Sequence, residues 1–201
     1  MDQPTPRRIA VASANLHKLE EIRAILAPYG FDPVGLDAWP DIDDLPETAE
    51  TFEGNALMKA RALAELKGVV AVADDSGLEV DALGGAPGVH SKRFTPEATH
   101  AANNTKLLAV LDGVQERSAR FRCVIALVTP DGAQALASGV CEGHIGHGLV
   151  GAGGFGFDPL FLPVEAPGCS MAELSAAEKN AISHRGRAFR QLPGLLEQLG
   201  L

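Results

Sequence analysis

Five consecutive apolar residues, Val69-Val70-Ala71-Val72-Ala73, run straight into Asp74-Asp75-Ser76-Gly77. A short run rich in β-branched residues reads as a buried strand. Before it, Phe52, Ala56, Leu57, Ala60, Leu63 and Ala64 recur at helical spacing and stop at Gly68, so helix passes directly into strand. The chain opens on the same two elements in reverse order. Arg7 to Ala12 reads as a strand, and Leu16, Leu19, Ile22 and Leu26 then follow a helical period until Pro28-Tyr29-Gly30. Strands alternating with helices require an α/β layer architecture. In open sheets of that class ligands bind beyond the carboxyl ends of the strands, so Asp74 and Asp75 are expected to leave the sheet at such an end.

The remaining segments are shorter. Gly35 to Thr51, acidic and broken by Pro40 and Pro46, reads as a mobile loop, and Gly84-Gly85-Ala86-Pro87-Gly88 as a loop of turn formers. Thr95-Pro96-Glu97 is expected to open a third helix, with Thr95 as N-cap and Pro96 in the first position. Arg120 to Val128 and Gln134 to Ile145, joined by Thr129-Pro130-Asp131-Gly132, read as an antiparallel hairpin. Ser170 to Glu173 and Ser175 to Glu178 both have capping-box form, and the chain beyond them reads as helical apart from a break near Pro193.

Composition excludes several classes. A chain of 201 residues with 46% hydrophobic content can build a full core as one domain. No apolar stretch approaches the roughly 20 residues of a membrane span, and Met1-Asp2-Gln3-Pro4 lacks the regions of a signal peptide, so a cytoplasmic location is expected. The three cysteines, Cys123, Cys141 and Cys169, fit neither a disulfide framework nor a zinc site. His144 and His147 have metal-like spacing but no further ligands nearby. A formal charge of -9 argues against a grip on nucleic acid, while an anionic small molecule arriving with a cation remains compatible.

Chemistry concentrates in four places. Asp74 and Asp75 repel each other beside a buried strand unless a cation or a raised pKa relieves them; magnesium is suited to one or two such carboxylates, with Glu47, Glu50 or Glu53 as a second ligand. Ser13-Ala14-Asn15-Leu16-His17-Lys18 joins the first strand to the first helix, where unpaired backbone N–H groups favour an anion. Ser13 or Asn15 also suits a plain helix cap, but Lys18 opposes the helix dipole and is better explained by a phosphate in front of it. Gly151 to Gly156 matches G-x-G-x-x-G by letter, yet Pro159 and Pro163 forbid the helix a dinucleotide site requires. Its glycines and the aromatics that follow still suit the approach of a planar base. Lys179, His184 and Arg185 form a basic cluster with donors for base oxygens or phosphate.

In this order the segments resemble the inosine triphosphate pyrophosphatase family, hydrolases of non-standard purine nucleoside triphosphates. The matching stretches are SANLHKLE from Ser13, TFEGNA from Thr51, ADDSGLEVD from Ala73, GGAPGV from Gly84, GGFGFDP from Gly153 and EKNAISHRG from Glu178. The resemblance implies Mg2+-dependent hydrolysis of ITP, dITP and XTP to monophosphate and pyrophosphate by a homodimer. It makes Asp75 the catalytic base and, with Glu47, a metal ligand. It gives the triphosphate to Ser13, Ala14, Asn15, Leu16, His17 and Lys18, and a substrate contact to Ser76. Phe155, Gly156, Phe157, Asp158, Lys179, His184 and Arg185 would hold the nucleotide and read its base. Phe157 stands where tyrosine is common, and Gly54 where an acid is common. Pattern and resemblance together give an α/β fold, a mixed central sheet flanked by helices, as an elongated bilobed single domain over residues 1–201 with a cleft between its lobes. A Maf-like nucleotide pyrophosphatase and a non-catalytic nucleotide-binding module are the other readings. The arginine pair of the Maf opening motif is missing at Asn15 and Lys18.

Overall fold

Strand β1 (Arg7–Val11) lies between two parallel neighbours in the computed structural model, which describes residues 5–42 and 44–201. Arg7 pairs with Phe31 and Ile9 with Pro33 of β2 (Phe31–Val34), and Val11 pairs with Val72 of β3 (Ala71–Val80). The six-stranded sheet has the order β2-β1-β3-β4-β5-β6, with β4 at Ser118–Val128, β5 at Gln134–Ile145 and β6 at Phe161–Pro163. β5 and β6 are antiparallel, with His144 opposite Leu162, so the sheet is mixed as expected. Six α-helices occur among the described residues: α1 (Leu16–Leu26), α2 (Phe52–Lys67), α3 (His100–Val110), α4 (Ala176–Ile182), α5 (His184–Phe189) and α6 (Leu192–Gln198). None is long and apolar enough to cross a membrane. Met1 to Pro4, on which the reading of the chain start rested, lie outside the described residues.

The chain divides into two units, and β3, β4 and β5 contribute residues to both. The first comprises Met1–Asp75, Cys123–Gly139 and Arg185–Leu201. Its core joins Val11, Ile22 and Leu26 to Val72, Ile125 and Phe189. The second comprises Ser76–Arg122 and Val140–His184, with Leu78, Leu107, Leu111, Ile145, Phe157 and Phe161 in its core. Cys123 and Cys141 are buried and Cys169 is half-buried.

Four local expectations are corrected. Asp74 and Asp75 do not leave the sheet, because β3 continues through them to Val80. Leu78 and Val80 are both fully buried, and a strand ending at Asp74 would forfeit that burial. The third helix starts at His100, capped by Thr99, whose Oγ1 accepts from the Ala102 N–H at 3.2 Å. Thr95 is buried instead, its N–H and hydroxyl both 2.9 Å from Asn103 Oδ1. Ser170 starts only a turn: Glu173 accepts from its N–H at 2.7 Å, while its hydroxyl donates to the Val150 carbonyl at 2.7 Å rather than capping a helix. Ser175, by contrast, makes the full capping box with Glu178 at the start of α4. The fourth difference is β2, an element the pattern did not announce. Proline normally counts against a strand, but β2 is at the sheet edge, where a missing N–H is tolerated.

Candidate active site

The first unit gathers its polar groups around the middle of β3. Successive residues of a strand face opposite ways, so Asp74 and Asp75 meet different partners. Asp74 is 1% exposed. Its Oδ2 accepts from Lys18 Nζ at 2.9 Å and lies 3.5 Å from Arg185 Nη2, while its main-chain oxygen accepts from Lys59 Nζ at 2.8 Å. Burial alone would raise the Asp74 carboxyl. The charges of Lys18, Arg185 and Lys59 outweigh it and hold this group far below the ordinary carboxylate range. Arg185 is itself 2% exposed and donates to Glu21 Oε2 at 2.5 Å, so it stands between two carboxylates.

Asp75 has the opposite balance. Its Oδ2 accepts from Asn55 Nδ2 at 3.0 Å, and Lys59 Nζ lies 3.9 Å from its Oδ1. Burial raises its pKa, Lys59 and the Asn55 bond act against that, and Glu47 adds to the rise; the carboxyl ends above its ordinary value. Lys59 donates to Glu47 Oε1 at 2.5 Å, so a single ammonium serves Glu47 and Asp75 together. Burial would favour the neutral amine, but Asp74, Glu47 and Asp75 keep Lys59 charged and raise its pKa.

Asn15 begins α1, its Oδ1 accepting from the Lys18 N–H at 3.2 Å, and Ser13 Oγ accepts from the Asn15 N–H at 3.2 Å. Ala14, Asn15, Leu16 and His17 are exposed, leaving this helix start accessible.

In the second unit the loop before β6 is fastened by Asp158. Its Oδ2 accepts from the Phe155 N–H at 2.7 Å and from Lys179 Nζ at 2.6 Å. A Cβ at Gly154 would stand 2.1 Å from that oxygen, so the turn requires glycine there. Lys179, 6% exposed, also sits 4.7 Å from the centre of the half-buried Phe155 ring. Phe157 is turned into the core, edge-on to Phe94. His184 stacks on Phe121 with ring centres 4.8 Å apart, and Ser76 follows Asp75 in β3, half-buried.

A sequence model described as the Ham1 family matches residues 9–194. The chain belongs to the Ham1 family. A relative from Nitratidesulfovibrio vulgaris, named dITP/XTP pyrophosphatase, is 52% identical to this Ham1 chain over 197 residues, covering 94% of the chain and 95% of the relative. A protein of the same name from Streptomyces avermitilis is 49% identical, covering 96% of the chain and 98% of the relative. The solved structure of a HAM1 protein from Coxiella burnetii has a TM-score of 0.83 at 40% identity and covers 96% of this chain and 99% of that one. The family resemblance carried by the six motifs is thereby borne out.

Three residues of this Ham1 site went unassigned in the sequence: Asn55, Lys59 and Glu21. The first two carried a legible signal. On α2 they fall on the same buried stripe as Phe52, Ala56, Ala60 and Leu63, where a polar side chain has to be explained. Glu21 lies on α1 like any solvent-facing acid, and only the fold brings it to Arg185. Among the described residues no group of three or more His, Cys, Asp or Glu side chains is arranged as a metal cage. Two carboxylates sharing one cation nevertheless match a hard ion that takes its other ligands from water and phosphate.

Proposed function

We propose that this Ham1-family protein hydrolyses non-standard purine nucleoside triphosphates, ITP, dITP and XTP, to the monophosphate and pyrophosphate, removing them from the nucleotide pool. The observation that carries the reading is Asp75. It is a buried carboxyl with a raised pKa, held by Asn55 and sharing Lys59 with Glu47, in a chain whose relatives bear the name dITP/XTP pyrophosphatase over their full length. A carboxyl whose pKa is raised is a stronger base than an ordinary aspartate and so better suited to accept a proton from water.

In the proposed reaction Asp75 orients a water and takes its proton as the oxygen bonds to the α-phosphorus. The bond from that phosphorus to the bridging oxygen breaks, and pyrophosphate leaves. Lys18 and the exposed start of α1, from Ser13 to His17, hold the phosphates, with Lys18 balancing the charge on the leaving group. Lys18 also donates to Asp74, and this bond fixes its ammonium in place before substrate arrives. Glu47 and Asp75 would hold a magnesium ion, which when bound supplies charge neutralisation to the phosphate oxygens. Phe155, Gly156 and Asp158 with Lys179 and His184 read the base, favouring a 6-keto purine by donating to O6. Ser76 contacts the substrate. Arg185, between Glu21 and Asp74, acts on the phosphate site through Asp74. Following the family resemblance, the working unit is proposed to be a homodimer in the cytoplasm.

The test is pyrophosphate release from ITP, XTP, dITP, GTP and ATP, with magnesium and with EDTA. Magnesium-dependent release from ITP, dITP and XTP, well above that from ATP and GTP, supports the reading. Saturable binding of ITP with no release from any of them would replace it with a non-catalytic nucleotide-binding role.

A further inference from the structure

Helix α3 buries two adjacent asparagines, Asn103 and Asn104. Asn103 secures the chain that precedes its own helix: its Oδ1 accepts from the Thr95 N–H, and its Nδ2 donates to the carbonyls of Ser91 and Lys92. Asn104 is used differently. Its Nδ2 donates to the Gly156 carbonyl at 3.0 Å, while its Oδ1 is buried with no hydrogen-bond partner among the described residues. An amide oxygen buried without a donor costs free energy that an apolar side chain of similar volume avoids. Stability alone therefore favours leucine at this position, beside a core that already holds Leu107 and Leu111. What the asparagine gains in return is the Gly156 carbonyl, at the centre of Phe155-Gly156-Phe157. One helical turn earlier, His100 places its ring 6.4 Å from the Phe155 ring, so the same face of α3 reaches the loop twice.

We propose that Asn104 is a positioning residue for the base-reading loop. Its amide fixes the Gly156 carbonyl, and through that peptide the Phe155 ring and the Asp158 carboxylate, in the arrangement that accepts a 6-keto purine. This rests on the reading of residues 155–158 as the base site. Asn104 is not among the contacts of Asp75, Lys59 or Lys18, so its loss weakens nucleotide binding and leaves the chemical step alone.

Two variants test it, Asn104→Leu and Asn104→Asp, each compared with wild type for ITP turnover, for ITP affinity by calorimetry in EDTA, and for Tm. Asn104→Leu is expected to melt at or above the wild-type temperature, with kcat held within about twofold and both KM and Kd weakened about tenfold, the worth of one hydrogen bond of about 1.4 kcal/mol. Asn104→Asp keeps an oxygen in place of Oδ1 but turns a second acceptor toward the Gly156 carbonyl, so it binds no better than the leucine variant. It also decides the matter if the leucine variant does not fold. Wild-type affinity in either variant overturns the proposal, as does a loss of kcat and KM that merely follows a loss of Tm. A wild-type protein that neither binds nor hydrolyses ITP removes the base-site reading and this inference with it. An active wild type with indifferent Asn104 variants removes this inference alone.

Discussion

The two sides of β3 hold the same functional group in opposite states. On one side Asp74 is buried against Lys18 and Arg185, and its charge is secured. On the other Asp75 is buried, accepts from the neutral Asn55 amide at 3.0 Å, has the Lys59 ammonium 3.9 Å away and feels Glu47 as a competing acid. Adjacent residues of identical chemistry thus diverge because strand alternation delivers them to different neighbours. Asp74 is held ionised by its cations, whereas the pKa of Asp75 is raised, and the proposed role of Asp75 as a base draws on that difference. A fully compensated carboxylate is a good anchor and a poor base; reactivity requires the compensation to be incomplete.

The largest effect that would sharpen this contrast is on turnover. Asp75→Asn is expected to lower kcat about a thousandfold, within the usual range for losing a catalytic base. Its stability should move the other way. The folded pKa of Asp75 is raised, so its contribution to stability is fully present below the unfolded pKa and is lost as pH rises through the folded value. At pH 7 the asparagine variant is therefore expected to be at least as stable as wild type in urea unfolding. A folded Asp75→Asn protein that keeps most of its activity would remove Asp75 from the mechanism.

Asp74→Asn is expected to be next in size and to act on stability, costing about 3 kcal/mol at pH 7 because the buried Arg185 and the half-buried Lys18 lose their counter-charge. Here the folded pKa is depressed, so the contribution is present above the unfolded pKa of about 4 and is lost as pH falls. The wild-type and Asp74→Asn unfolding curves should converge in acid; a gap that stays constant from pH 7 to pH 3 would break the comparison. A smaller effect concerns the shared ammonium. In Lys59→Met the acid limb of the kcat/KM profile should move to higher pH, because the strongest charge opposing protonation of Asp75 is gone. The smallest is a control away from β3. Ser175→Ala removes the α4 capping box and is expected to cost about 1 kcal/mol of stability with kcat unchanged.

The sequence made the α/β class legible because β1, α1, α2 and the first residues of β3 carry clear apolar patterns. It misplaced the carboxylates, since a strand that takes charged residues into its buried middle looks like a strand that has ended. Lys18, Arg185 and Lys59, from three separate helices, offset the cost of that continuation. Lys18 shows the matching gap. Its unfavourable place near the start of a helix points to an anion, and only the fold shows that Asp74, 56 positions along the chain, is one anion it meets. Thr95 departs for a local reason: its bonds to Asn103, eight residues on, outweigh its capping preference, and Thr99 takes that part.

The two outer strands of the sheet have one further consequence. β2 is four residues long with Pro33 inside it, and β6 is three residues long and ends at Pro163. An open strand edge is a template on which another chain can add by main-chain pairing, and short, proline-bearing borders are poor templates. The inner strands, with their runs of valine and alanine, are the kind of sequence that aggregates when left uncovered. Their borders keep that material sealed, so a crowded solution of this protein meets ends at which growth stops.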